Sequence, residues 1–115
     1  MTARQFEVWI ADLSPRIGTV TRKTRPVLIV QTDLLNQARH PSTIICPMTT
    51  NVNMDADILR VHVSKGEAQV TEACDIMIDQ LRAIDNKRLL KRVGTLQQET
   101  IMKVKENIAI VLDIL

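Results

Sequence analysis

Short apolar segments recur along the chain with the alternation that is typical of β-strands. FEVWIADL, residues 6–13, alternates between two faces, with Phe6, Val8 and Ile10 on one side and Glu7, Trp9 and Ala11 on the other. PVLIVQ, residues 26–31, is apolar on both faces and rich in β-branched residues. The second pattern predicts a central strand, with Pro26 at its first residue because proline has no N–H to donate. Further strands are predicted over STIICPMT (42–49), ILRVHV (58–63), EACDIMIDQ (72–80) and a brief segment that ends at Gly94.

Helical spacing is confined to two segments and one short turn. TDLLNQARH, residues 32–40, predicts a short helix capped by Thr32 or Asp33, and a helical turn is expected over residues 86–90. The last segment opens with Thr95 and Gln98 in capping-box spacing, which predicts one long amphipathic helix. The fold class predicted is mainly β with short α segments: a small antiparallel barrel followed by a C-terminal α-helix.

Two carboxylates stand out in the segment EACDIMIDQ. If the segment is one strand, Asp75 and Asp79 point to the same face, opposite Cys74 and Ile78.

Length and composition limit the number of domains and the class of protein. With 115 residues and 45% hydrophobic content, the chain can close one core, so a single domain over residues 1–115 is expected. No apolar run approaches the roughly 18 residues of a membrane span, and the first residues lack a signal-peptide pattern, so the cytoplasm is expected. Cys46 and Cys74 lie in apolar stretches without CxxC spacing, which favours buried thiols over a disulfide or a metal site.

The charge is small overall but concentrated in one segment. The net charge is +2, yet residues 13–25 carry Arg16, Arg22, Lys23 and Arg25 without an acid. Such a loop attracts phosphate groups, although a solvated surface loop explains the same charges.

The order of several motifs resembles the MazF/PemK (Kid) family of toxin endoribonucleases. These motifs are VWIADLSPRIG, KTRPVLIVQTD, TIICPMTT and DQLRAIDNKRLLKRVGTL, and the resemblance runs from about residue 7 to residue 112. It implies an SH3-like barrel of the kind shared with CcdB toxins, a homodimer, and cleavage of single-stranded RNA without a metal or other cofactor. It also implies a cognate MazE-like antitoxin whose acidic tail covers the RNA site, with any contact to DNA made only through that antitoxin.

The resemblance carries three catalytic positions onto this chain. They are Arg25 for the family's arginine, Thr49 for the threonine that ends its P-x-T motif, and Asp79 for the acidic or amide-bearing position before its Q-x-R-x-I-D run. A guanidinium suits a phosphorane-like transition state because its planar fork contacts two oxygens. Two positions depart from the pattern: Val20 replaces a glutamate found in many members, and Met77 replaces an arginine found in PemK-type members.

Base recognition is expected from polar and charged groups. The only aromatic residues, Phe6 and Trp9, lie in the first predicted strand and are expected to be packed in the core or an interface. Neither His40 nor His62 falls on a motif position, so no role is assigned to them. The predicted RNA-binding residues are Arg16, Arg22, Lys23, Thr50, Asn51, Asn53 and Gln80.

Each catalytic assignment has a structural alternative. Arg25 can solvate the end of a strand, Thr49 can cap the loop TTNVN, and Asp79 can pair with Arg82. At the level of function, an inactive nucleic-acid-binding module and a CcdB-like gyrase poison are the alternatives. The second lacks its Trp-Gly-Ile ending, because this chain ends VLDIL. The end of the last helix is apolar almost all round, at residues 108–112, which suits burial in a two-fold contact.

Overall fold

Seven antiparallel strands and one long helix form the framework of the described chain. The computed structural model describes residues 2–15 and 23–114. The strands are β1 (Glu7–Asp12), β2 (Thr24–Ile29), β3 (Ser42–Thr49), β4 (Arg60–Val63), β5 (Cys74–Met77), β6 (Arg82–Asp85) and β7 (Leu89–Thr95). The helices are α1 (Asp33–Gln37) and α2 (Gln98–Leu112), with single 3₁₀ turns at Glu67–Gln69, Ile78–Gln80 and Asn86–Arg88. The predicted mainly β fold with a C-terminal helix is confirmed.

Strand β3 is the centre of the sheet. The strand order is β4-β5-β3-β2-β1-β7, and β6 pairs separately with β3. The first half of β3, residues 42–45, pairs with β6, whereas its last two residues, Met48 and Thr49, pair with β5. Strand β2 pairs with its middle, from Ile45 to Pro47. A single eight-residue strand therefore belongs to both halves of a curled sheet.

The two faces of the sheet bury separate apolar clusters. The larger cluster packs the sheet against α2, and the smaller cluster lies on the opposite face. Members of the larger cluster include Val8, Leu28, Cys46, Met48, Ile76 and Val104. Members of the smaller cluster include Trp9, Ala11, Val27, Ile29, Ile45 and Ile84. Because successive residues of a strand alternate faces, β2 contributes to both clusters, as predicted for a central strand.

The start of α2 differs from the prediction. The helix begins at Gln98 after the N-cap Gln97, and no side chain caps its first turn. The capping box is therefore wrong: Thr95 is the last residue of β7, opposite Glu7 of β1, and its hydroxyl accepts a hydrogen bond from Arg92 Nη2 at 3.0 Å. Thr95 therefore pairs within the sheet, although its spacing to Gln98 assigned it to the start of the helix. At the short helix α1 the predicted cap is confirmed, since Thr32 Oγ1 accepts from the Leu34 N–H.

Several strand bounds differ from the prediction, and strand β6 was not predicted. Strand β2 begins at Thr24, so Pro26 is its third residue rather than its first, and pairing with β3 starts only at the next residue. Strand β4 begins at Arg60, two residues later than predicted. Strand β5 ends at Met77 because the chain turns into the 3₁₀ segment Ile78–Gln80.

Both thiols are buried, as predicted. Cys46 and Cys74 are free. Burial raises the pKa of the Cys46 thiol to about 12, with a smaller contribution from the charge of Asp79. Burial also raises the pKa of Cys74, to which the charges of Glu72 and Asp75 add. Within residues 2–15 and 23–114, none of the helices has the length and apolarity that crossing a membrane requires.

Candidate nucleic-acid interface

Arg25 stands at the exposed end of β2. The three residues Val27 to Ile29 are fully buried and anchor the strand, while Lys23, Thr24 and Arg25 are exposed. The Lys23 carbonyl accepts a hydrogen bond from the Leu13 N–H at 2.8 Å, which holds the strand end against the chain that leaves β1. The guanidinium of Arg25 makes no hydrogen bond or ion pair with any residue that the structure describes. The backbone of Arg25 is thus held by the strand, while no described residue occupies the hydrogen-bond donors of its guanidinium.

Thr49 lies on the strand next to that of Arg25. The pairing of β2 with β3 ends with Val27 opposite Pro47, and Arg25 and Thr49 each lie two residues beyond that pair. Because side chains alternate along each strand, Arg25 and Thr49 belong to the same face as Val27 and Pro47. Two of the three predicted catalytic residues are therefore on neighbouring strands and on one face of the sheet.

Thr49 also makes the contact that its structural alternative requires. Its Oγ1 accepts a hydrogen bond from the Asn51 N–H at 3.1 Å, so the side chain caps the loop after β3. A hydroxyl that accepts one bond keeps its own proton for donation. Capping the loop and donating to a phosphate are consequently compatible roles.

Asp79 lies on a different element from Arg25 and Thr49. It is exposed in the 3₁₀ turn after β5, and its carboxylate is close enough to Cys46 to add to the rise in the pKa of that thiol, which burial dominates. The prediction that it shares a strand face with Asp75 is wrong, because the strand ends before it. Asp79 forms no ion pair with Arg82 among the described residues, so that structural alternative is not supported either.

The remaining predicted RNA-binding residues lie in different parts of the chain. Arg16 and Arg22, like Val20, lie outside the described residues. Thr50, Asn51 and Asn53 are exposed in the loop after β3, and Gln80 is exposed beside Asp79. Thr50 and Pro26 line a cleft of about 460 Å³ together with Lys91 and Arg92 of β7. Phe6 and Trp9 are buried in the larger and the smaller cluster, as expected, and neither is free to stack on a base.

No local pattern in the sequence indicates a further cluster, which surrounds Asp75. This residue is opposite Thr49 on one side and His62 on the other. Its Oδ2 accepts from the Asn53 N–H at 2.7 Å and from Arg60 Nη1 at 3.2 Å, and its Oδ1 lies 3.4 Å from His62 Nδ1. Alternation within each strand puts these side chains on one face, but only the pairing of β4 with β5 brings them together.

Comparison with known proteins identifies the family. A family model described as PemK-like, MazF-like toxin of type II toxin–antitoxin system matches residues 4–112. The chain is 30% identical over 101 residues to the endoribonuclease MazF of Staphylococcus epidermidis, covering 88% of this chain and 83% of the relative. It is 29% identical over 110 residues to the endoribonuclease EndoA of Bacillus subtilis, covering 96% and 94%.

Solved structures agree in fold. A MazE–MazF crystal structure from Deinococcus radiodurans superposes with a TM-score of 0.81 at 15% identity, over 100% of this chain and 99% of that one. The Mycobacterium tuberculosis toxin MazF-mt6 gives 0.76 at 21% identity, over 93% and 96%. The family match extends over almost the whole sequence. The chain belongs to the PemK-like, MazF-like toxin family of type II toxin–antitoxin systems.

Proposed function

We propose that this chain is the toxin of a type II toxin–antitoxin pair and that it cleaves single-stranded RNA at short sequences without a metal ion, thereby inhibiting translation and growth. Its curated relatives are named endoribonucleases. The observation that carries the proposal is the guanidinium of Arg25, which has no partner among the described residues and lies at the end of a buried strand, on the same face of the sheet as Thr49 of the neighbouring strand.

The proposed reaction uses the RNA's own 2′-OH as nucleophile. This oxygen attacks the adjacent phosphorus, the bond from phosphorus to the 5′ oxygen breaks, and the products are a 2′,3′-cyclic phosphate and a 5′-OH. One proton leaves the 2′-OH and one is delivered to the leaving oxygen. Arg25 places its fork on two phosphate oxygens, where negative charge accumulates, and Thr49 donates a hydrogen bond to the same phosphate.

Asp79 is the proposed acceptor of the 2′-OH proton, or the group that positions that hydroxyl. Its exposed carboxylate is accessible to substrate. The proposed contacts to the rest of the RNA come from polar and basic side chains around Arg25 and in the loop after β3. They are Arg16, Arg22, Lys23, Thr50, Asn51, Asn53 and Gln80.

The proposed partners are an acidic MazE-like antitoxin segment and a second copy of the chain, in the cytoplasm. One solved neighbour is an endoribonuclease in complex with its cognate antitoxin from a mycobacterial species, which supports the first. Apolar side chains at the end of α2 support the second, since Ile110, Leu112 and Ile114 are exposed by 39%, 50% and 68%.

Replacing Arg25 tests the proposal. Purified protein is incubated with total RNA in EDTA, and the 5′-OH ends are mapped. Arg25→Ala should lower the cleavage rate by about 10²- to 10³-fold, the usual cost of removing one donor to a transition-state anion. Arg39→Ala, which removes an exposed arginine beyond the opposite end of β3, should cleave normally.

Other outcomes would contradict the proposal in distinguishable ways. A fully active Arg25→Ala variant would remove this residue from the mechanism. Intact RNA together with stalled DNA supercoiling would indicate a gyrase poison. Intact RNA with normal supercoiling would leave only a binding role.

A further inference from the structure

The cluster around Asp75 combines a buried anion with two accessible cations. Asp75 is only 1% exposed, whereas the side chains of Arg60 and His62 are 25% and 35% exposed. Burying a carboxylate is costly unless several donors bind it. Asp75 meets this need with the Asn53 N–H, Arg60 and His62, so it cannot itself face a ligand. It holds the two cations in place.

The donors left over point to an anionic ligand. Arg60 engages Asp75 and the Asn51 carbonyl through Nη1 alone, which leaves the N–H groups of Nε and Nη2. An ionised carboxylate only accepts hydrogen bonds. The His62 nitrogen that faces Asp75 is Nδ1, so Nδ1 carries a proton. The Nε2 atom of His62 is therefore the one that faces a ligand, and it donates to a phosphate when the ring is the imidazolium, in which both nitrogens carry a proton.

The cluster lies next to Thr49, one of the proposed catalytic residues. The registers Thr49–Asp75 and Asp75–His62 connect the cluster to Thr49, on the strand next to that of Arg25. At about 4.8 Å per strand, His62 on β4 lies about 10 Å from Thr49 on β3, a distance that a few nucleotides of extended RNA span. Arg60 and His62 border a hollow of about 170 Å³, which is also lined by Asn53, Met54, Asp57 and Lys103.

We propose that Arg60 and His62, positioned by Asp75, bind a backbone phosphate of the RNA that flanks the scissile one. The inference rests on the proposed function, since it concerns the same substrate. Its chemistry is general: a guanidinium and an imidazole N–H on one face of a sheet bind a phosphodiester, and the buried carboxylate fixes their positions.

The test measures binding separately from cleavage. A fluorescein-labelled single-stranded 2′-O-methyl RNA, which has no attacking hydroxyl, is titrated at several salt concentrations and followed by anisotropy. The variant is Arg60→Gln, His62→Gln and Asp75→Asn together, because removing Arg60 alone would leave Asp75 charged and buried. With His62 as the imidazolium, its formal charge is lower than that of the parent by one, and the control below loses no less positive charge, so a general loss of positive charge does not explain weaker binding.

The matched control carries Arg39→Gln and His40→Gln. These exposed residues are also an arginine and a histidine, but they precede Ser42 at the other end of β3, about 23 Å from Thr49 at a rise of about 3.3 Å per residue. The triple variant should bind about tenfold more weakly, with a slope of log affinity against log salt smaller by about 0.7, the value for one lost phosphate contact. The control should match the parent.

A second variant tests the proposal if the triple variant does not fold. The outcomes also distinguish the phosphate subsite from the proposed RNA cleavage. His62→Gln alone keeps the Arg60–Asp75 pair and should weaken binding about threefold. Parental affinity and salt slope in the folded triple variant, or parental affinity in His62→Gln, would overturn the phosphate subsite even if RNA is cleaved. A reduced slope in a chain whose parent fails to cleave RNA would uphold the subsite and overturn the proposed cleavage.

Discussion

The arginines of this chain differ in role because of the partners that each one meets. Arg88 donates through Nη1 to the carbonyl oxygens of Asp12 and Ser14, and thereby ties β1 to the turn before β7. Arg92 is bound to the buried carboxylate of Glu7. Arg25 has no such partner among the described residues. Motif order identified Arg25 in advance, but local sequence does not show which other arginines are occupied, since their partners lie far along the chain.

Glu7 predicts an acid dependence of stability. Burial by itself would raise the pKa of Glu7, but hydrogen bonds from Trp9 Nε1, Arg92 Nε and the Arg4 N–H outweigh it and lower the pKa below 4.5. A lowered carboxyl pKa stabilises the fold fully above the unfolded pKa, and the stabilisation is lost as the pH falls through the folded value. Glu7→Gln should reduce the free energy of unfolding at pH 7 by about 1–3 kcal/mol and flatten its decline below about pH 4.5.

Urea unfolding of the parent and the variant across this pH range measures the effect. Glu99→Gln, an exposed carboxylate in the first turn of α2, is the matched control and should leave the profile unchanged. An acid decline in Glu7→Gln as steep as that of the parent would show that other groups cause it.

At the scale of elements, burial periodicity was predicted better than strand length. Cys74, Ile76 and Ile78 are all buried, as the alternation of residues 72–80 indicated, yet the strand ends at Met77. The Ile78 N–H donates to the Leu59 carbonyl and the Leu81 N–H to the Ile78 carbonyl, so the chain turns while Ile78 stays inside. Asp79 is separated from Asp75 for this reason, and no local pattern reveals it.

The contact between β7 and the 3₁₀ turn Glu67–Gln69 requires a glycine. A Cβ on Gly94 would lie 2.3 Å from the carbonyl oxygen of Ala68, and backbone cannot yield as a flexible side chain can. Gly94→Ala should therefore lower the free energy of unfolding by about 1–3 kcal/mol, as overpacking does elsewhere. Urea denaturation gives the value, with Lys91→Ala on an exposed position of β7 as the control. Equal stability of Gly94→Ala and the parent would mean that the turn moves away at no cost.

For the molecule as a whole, the sequence predicted the mainly β fold but not the geometry between strands. Thr49, Asp75 and His62 come from three strands that are separated by loops of different length. Their registers depend on the packing of the larger apolar cluster between the sheet and α2 and of the smaller cluster on the opposite face, which is a property of the complete chain. His62 was given no role because it falls on no motif position, and only the pairing of β4 with β5 brings it to Asp75.

The end of α2 predicts where two copies of the chain meet. One side of the helix packs on the larger cluster through Ile108 and Val111, whereas Ile110 and Leu112 remain exposed. Large apolar side chains grouped at one helix end are typical of an interface, and a two-fold contact would cover them in both copies. Ile110→Glu with Leu112→Glu places like charges in such a contact and should shift the protein from dimer to monomer, as measured by sedimentation equilibrium.

The control for this change is Lys105→Glu with Lys103→Glu, which alters exposed positions earlier in the same helix and should leave the dimer intact. If the parent sediments as a monomer at micromolar concentration, the proposed homodimer is wrong. A dimer that survives both glutamates would place the contact on another surface. The variant with Ile110→Glu and Leu112→Glu keeps the apolar residues of α2 that pack on the sheet, so its thermal unfolding should remain cooperative. A cooperative transition distinguishes loss of dimerisation from loss of fold.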